Sequence, residues 1–175
     1  MVLLHANRPT DGDAPSLFPP WAPPPRRTQH LTVDGRLWPL LVVKFGAQAE
    51  SSDFDAYLEE RAAWLRRREP HVHVLDVREV RLCQVCPSVR QRYVDWLCEH
   101  AALLSQWLIG SAYLMRSPEG RMTASLIRHG AGLGTPFLVT PNLPHAAAWA
   151  AERLNDAGLA PAATRVRAAF AIPSS

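Results

Sequence analysis

Leu37-Trp38-Pro39-Leu40-Leu41-Val42-Val43-Lys44-Phe45 is an apolar run closed by Gly46, and it reads as a buried strand. Pro39 belongs at its start or at an edge, because proline has no N–H to give a ladder. Ser51-Ser52-Asp53 follows as an N-cap with acid in the first turn. Phe54, Leu58, Ala62 and Leu65 then recur at helical spacing, with Tyr57, Arg61 and Trp64 beside them. Glu69-Pro70 stops the helix, and Val72, Val74, Leu75 and Val77 form a second, β-branched strand. The fold class rests on this change of period, from strand to helix and back within one short stretch.

The alternation extends outward in both directions. Upstream, His30-Leu31-Thr32-Val33 is a short strand, and Asp34-Gly35 is a hairpin signal. Downstream, Pro87-Ser88-Val89-Arg90-Gln91 reads as a capping box, Ser88 bonding forward and Gln91 back, for a helix through Tyr93, Leu97, Ala101 and Leu104. Leu108 to Met115 is the next strand. Ser117-Pro118-Glu119-Gly120 turns into a weaker helix, Met122 to Arg128, and Phe137-Leu138-Val139 is a last short strand. Asn142-Leu143-Pro144 opens an alanine-rich helix that ends by Gly158, and the tail from Ala160 adds a helical turn or stays loose. The expected order is β-β-α-β-α-β-α-β-α, an α/β domain with a mixed sheet of about five strands and helices packed on it.

Three regions follow: a flexible proline-rich arm over 1–27, the α/β domain over 28–158, and a C-terminal tail over 159–175. The arm carries Pro9, Pro15, Pro19, Pro20 and Pro23-Pro24-Pro25, a composition that favours extended backbone and builds no core. No apolar run approaches the roughly 18 residues of a membrane span. The start lacks the long apolar region of a secretory signal, so a cytoplasmic location is expected. Net charge is +3 over 175 residues, and nearly all cations are arginine, Lys44 being the single lysine. That bias fits a GC-rich bacterial genome. Nucleic-acid binding is not expected, since the basic residues are not gathered with aromatics. The one basic run, Arg66-Arg67-Arg68, ends a helix, where cations complement the dipole.

These elements resemble the STAS domain, the SpoIIAA-like fold of anti-sigma-factor antagonists, and a bacterial set of SpoIIAA-like proteins of unknown role. The residues that carry the likeness are Leu75-Asp76, Pro87-Ser88 with Gln91-Arg92, Trp96-Leu97 and Gly110-Ser111-Ala112. They continue as Ser117-Pro118, Arg121-Met122-Thr123-Ala124 and Pro144-His145-Ala146. The likeness spans about residues 28–158. It implies a non-catalytic signalling module that binds another protein, or a second copy of itself as a homodimer. It also implies a phosphorylatable serine at the start of the helix after the Asp-ending strand, whose added charge switches the partner. The family's Asp-Ser positions are Gln84 and Val85 here, and the nearest serine is Ser88. The expected partner face is therefore Cys86 to Arg92, with Ser88, Arg90 and Arg92 on it.

Other residue patterns carry both a chemical reading and a plainer one. Cys83 and Cys86 have the spacing of a redox pair ahead of a helix, the alternative being incidental cytoplasmic thiols. Cys98 and His100 point about 200° apart on a helix and do not join them on a metal. His71 and His73 share a strand face but lack a third ligand, and are expected at the strand entrance, partly solvated. Gly130-Ala131-Gly132-Leu133-Gly134 precedes a strand, so it reads as a loop bordering a groove and not as a phosphate cradle. Trp64, Trp96 and Trp149 read as core or interface residues. No enzyme motif, metal or cofactor is implied. A small apolar ligand or lipid between the sheet and the Met122–Arg128 helix stays open as another function.

Overall fold

The computed structural model describes residues 26–27, 30–81 and 86–173. In chain order the elements are β1 (Arg26–Arg27), β2 (Leu31–Asp34), β3 (Leu40–Phe45), α1 (Ser51–Leu65), β4 (His71–Asp76) and α2 (Pro87–Glu99). They continue with α3 (Ala101–Trp107), β5 (Leu108–Leu114), α4 (Pro118–Gly130), β6 (Phe137–Thr140), α5 (Leu143–Asp156) and α6 (Ala160–Ala169). The strands lie in one mixed sheet in sequence order, β1-β2-β3-β4-β5-β6. The pairs β1–β2 and β2–β3 are antiparallel, and β3 to β6 are parallel. The α/β class and the mixed sheet hold as read from sequence.

Several local expectations are revised. The strand expected from Leu37 starts at Leu40, because Arg36 to Pro39 form the turn out of β2 and Trp38-Pro39 is a cis peptide. The cap of α1 is Glu50, whose backbone N–H donates to Asp53 Oδ2 at 2.9 Å in a reciprocal capping box. The long helix after Pro87 breaks at His100 into α2 and α3, where the His100 ring stacks on Trp96 at 4.3 Å and its Nδ1 lies 3.0 Å from the Trp96 carbonyl. The Ser88–Gln91 capping box does not form. Cys86 is the N-cap with Pro87 at N1, Ser88 Oγ contacts Cys86 Sγ at 3.1 Å, and Gln91 donates to Asp95 at 2.8 Å. The last helix α6 is a packed element with Ala162, Ala163 and Val166 buried, so the core continues past Gly158.

Strand parity divides the interior in two. Leu41, Val43, Phe45, Leu75 and Tyr113 face α1 to α4. Leu40, Val72, Val74, Ala112 and Leu114 face α5 and α6. On that second side Ala146, Ala147, Ala150 and Ala151 are all buried, and their small side chains let α5 lie close to the sheet. Gly110 belongs to the same fit: a Cβ there would lie 2.7 Å from the Trp149 ring. Trp64 and Trp96 are buried on the first side, and Trp149 packs partly buried on the second.

Burial corrects the expectation for His71 and His73. β4 is central and covered on both faces, so both rings lie in the core, at 1% and 0% exposure. His71 stacks on Trp38 at 5.4 Å, and its Nδ1 lies 3.0 Å from the Glu69 carbonyl. His73 stacks on Tyr57 at 5.9 Å.

Candidate functional site: an arginine-mouthed cavity at the strand ends

Because β3, β4 and β5 are parallel, their C-terminal ends open onto one edge of the sheet, which is where open α/β sheets place ligands. On the α1–α4 side of that edge lies a cavity of about 920 Å³. Its floor is apolar and aromatic: Phe45 and Leu75 from strands, Phe54 from α1, Tyr93 from α2, Tyr113 from β5 and Ile127 from α4. Small residues leave the space. Ala47 and Ala49 precede α1, and Gly120 and Ala124 occupy the inner side of α4. Ser117 caps α4 by accepting from the Gly120 N–H at 3.0 Å, which fixes that helix at the cavity wall.

The mouth is basic. Arg78, Arg81, Arg90 and Arg116 line it, with Glu50 the single carboxylate among the described residues. Arg78 is neutralised by Asp76 through two bonds of 2.9 and 2.7 Å. Glu50 is occupied in capping α1. Arg81, Arg90 and Arg116 are exposed and make no ion pair among the described residues. Exposed cations of this kind attract and orient an anion while contributing little binding energy each.

The anticipated partner face is placed beside this mouth. Ser88 is exposed at the first turn of α2, and Arg90 is exposed at the cavity. Arg92 is already engaged across the helix pair, donating to Ser51 Oγ and lying 3.4 Å from Asp55 Oδ1. Cys86 is exposed and lines the cavity, and the Ser88 hydroxyl holds its thiol below the ordinary value. Cys83, its proposed redox partner, lies outside the described residues, as do residues 1–25 of the arm. The Gly130–Gly134 loop does not line the cavity, and Gly132 takes a φ of 64° just past the end of α4.

Behind the cavity floor is a cluster that periodicity alone does not reveal. Arg61 donates from Nη1 to Tyr57 Oη at 3.1 Å and to Tyr93 Oη at 3.0 Å, and its guanidinium lies 4.9 Å from the Trp96 ring centre. Arg128 donates from Nη1 to Tyr113 Oη at 3.3 Å and from Nη2 to the Thr135 carbonyl and hydroxyl. Burial pushes the Tyr93 and Tyr113 hydroxyls up to about 12, so both are neutral. Burial holds His71 at about 4 and drives His73 well below its ordinary value. The available hint was the spacing of Tyr57 and Arg61, one helical turn apart on the face that carries Leu58 and Leu65.

Comparison with protein-family models, with curated proteins and with solved structures found no match. Among the described residues, no three His, Cys, Asp or Glu side chains gather as a metal site. No helix among them is long and apolar enough to cross a membrane.

Proposed function

We propose that this chain is a non-catalytic regulatory module of the STAS type that binds an amphipathic carboxylate. Occupancy of the cavity is read by a protein partner at the start of α2. The observation that carries this reading is an apolar cavity of about 920 Å³ beneath a mouth with three arginines that make no ion pair among the described residues. Its volume lies near the upper end of the roughly 300–1,000 Å³ of small-molecule sites. The likeness to STAS domains supports the regulatory half, as does the place of Ser88 and Arg90 beside the mouth. A partner docked there senses whether the cavity below is filled.

The energetics separate the two parts of the ligand. Each buried methylene contributes about 0.8 kcal/mol, whereas each exposed arginine contributes at most about 1 kcal/mol. The chain therefore sets affinity and the arginines set orientation. Titration of the full chain with octanoate, decanoate and dodecanoate tests this directly. Affinity is expected to rise about ten-fold for each pair of added methylenes. The double reversal Arg90→Glu, Arg116→Glu should weaken dodecanoate about ten-fold. Absence of binding, or affinity that ignores chain length, sinks the reading.

A further inference from the structure

Four buried side chains behind the cavity floor hold polar atoms that the described residues leave unsatisfied. Arg61 and Arg128 are 1% and 2% exposed, and His73 and Ser111 are fully enclosed. Arg61 Nε and Nη2, Arg128 Nε, both ring nitrogens of His73 and Ser111 Oγ have no hydrogen-bond partner among the described residues. The other guanidinium nitrogens are spent: both Nη1 atoms on Tyr57, Tyr93 and Tyr113, and Arg128 Nη2 on Thr135.

The fold gathers these groups over one patch of the sheet. His73 and Ser111 are register partners on β4 and β5, and Phe137 of β6 is the partner of Ser111 on its other side. By strand parity all three share the face of Leu75 and Tyr113, toward α1 to α4. Arg128 lies over this row, its guanidinium 4.8 Å from the Phe137 ring centre. Arg61 closes it from α1, bonded to the Tyr57 hydroxyl, and the Tyr57 ring stacks on His73. None of the four residues lines the cavity.

No acid balances this charge. Asp53 and Asp76 are the buried carboxylates among the described residues; the first accepts from the Glu50 N–H and the second from Arg78. Neither Arg61 nor Arg128 makes an ion pair there. An uncompensated buried charge is costly, and aromatic faces such as Trp96 and Phe137 return only part of it. The unmet groups are mainly donors: guanidinium N–H, a serine O–H and one imidazole N–H. A water would satisfy some of them and leave the charge in place. A monoanion accepts from all of them and offsets one of the two positive charges.

We infer that this patch binds a dehydrated halide, chloride in size, held by Arg61, Arg128, His73 and Ser111. Full burial selects a halide over phosphate or sulfate, whose double charge costs more to strip of water. The ion is an internal counter-charge for the α1–α4 side, and it stands whether or not the cavity takes a carboxylate.

The test is thermal unfolding of the full chain, without carboxylate ligand, as sodium gluconate is exchanged for sodium chloride at constant ionic strength. For a site of millimolar affinity, about 100 mM chloride should raise the midpoint by about 5–10 °C, since the ligand then stands at about 100 times its Kd. Ser111→Ala removes one donor and no charge. It should weaken chloride about ten-fold and so roughly halve that shift. Crystals of the unaltered chain soaked in sodium bromide should show an anomalous peak within hydrogen-bonding reach of Arg61 Nε and Ser111 Oγ. A midpoint indifferent to chloride overturns the inference. So does bromide confined to the surface, the result expected if water fills the patch. An undiminished chloride shift in Ser111→Ala overturns it as well, because the ion would then lie elsewhere. If that variant does not fold, the bromide peak still decides the matter.

Discussion

The two sides of the sheet solve the same packing problem with opposite materials. Against α5 and α6 the contact is made of alanines with Leu40, Val72, Val74 and Leu114, and the helix lies close over a layer without buried cations. Against α1 to α4 it is made of Phe45, Tyr57, Trp64, Tyr93, Trp96 and Tyr113, with two histidines and two arginines among them. The large rings do not fill every space between sheet and helices, and that side carries the cavity. One face secures the fold; the other accepts polar groups and empty volume, and has room for a ligand.

The largest effect that sharpens this contrast comes from acid. Unfolded, His71 takes up its proton near 6.5; folded, burial holds it at about 4. Between those values the unfolded chain binds more protons, so stability falls as pH falls. The His71 contribution is complete above about pH 6.5 and lost by about pH 4, a change of about 3 kcal/mol. His73 shifts in the same direction. Urea unfolding at about pH 7.5 and about pH 4.5 measures it, and a flat profile would break the picture of a face that stores neutral histidines.

Next in size is a matched pair of enlargements. Ala147→Leu, on the alanine side, should cost about 1–3 kcal/mol by overpacking. Ala124→Leu makes the same change on α4, but its side chain enters the cavity, so its cost should stay within about 0.5 kcal/mol. It should also weaken dodecanoate. Equal costs would erase the distinction between a filled face and an open one. The smallest effect is at the caps. Ser117→Ala on α4 and Asn142→Ala on α5 each remove one side-chain bond to a helix N–H, at 3.0 Å in both cases. Each should lower stability by about 1 kcal/mol in thermal unfolding. Only the α4 change should alter ligand affinity, because only α4 walls the cavity.

The legible and illegible parts of the molecule differ by the range of the interactions that made them. The strand at Leu40–Phe45, the helix at Ser51–Leu65 and the strand at His71–Asp76 follow from period and punctuation inside each segment. The break at His100 has no glycine or proline to announce it and depends on a ring settling on Trp96. The depth of His71 and His73 depends on β4 lying inside the sheet, with β3 on one side of it and β5 on the other. Of the residues anticipated at the site, Arg90 lines the cavity, Ser88 stands exposed near it and Arg92 is spent on α1. Arg81 and Arg116 were not anticipated. Nothing in their spacing relates them, and parallel strand ends bring them to one mouth. Arg61 and Arg128 sit in helices among residues that look solvent-facing, and only the tertiary packing buries them.

The strand order has a further consequence, for the chain as it is made. Each new strand joins beside the one just completed, and the sheet grows in one direction as sequence emerges. The first face is covered as it forms, since α1, α2, α3 and α4 are synthesised between the strands they cover. The second face waits for α5 and α6. From the end of β5 to the end of α6, translation at about 5–20 residues per second takes roughly 3–11 s. Throughout that interval the helices that bury Leu40, Val72, Val74, Ala112 and Leu114 are not yet complete in the chain. Burial of that face is thus the last part of the fold that synthesis makes possible, and it rests on α5 and α6.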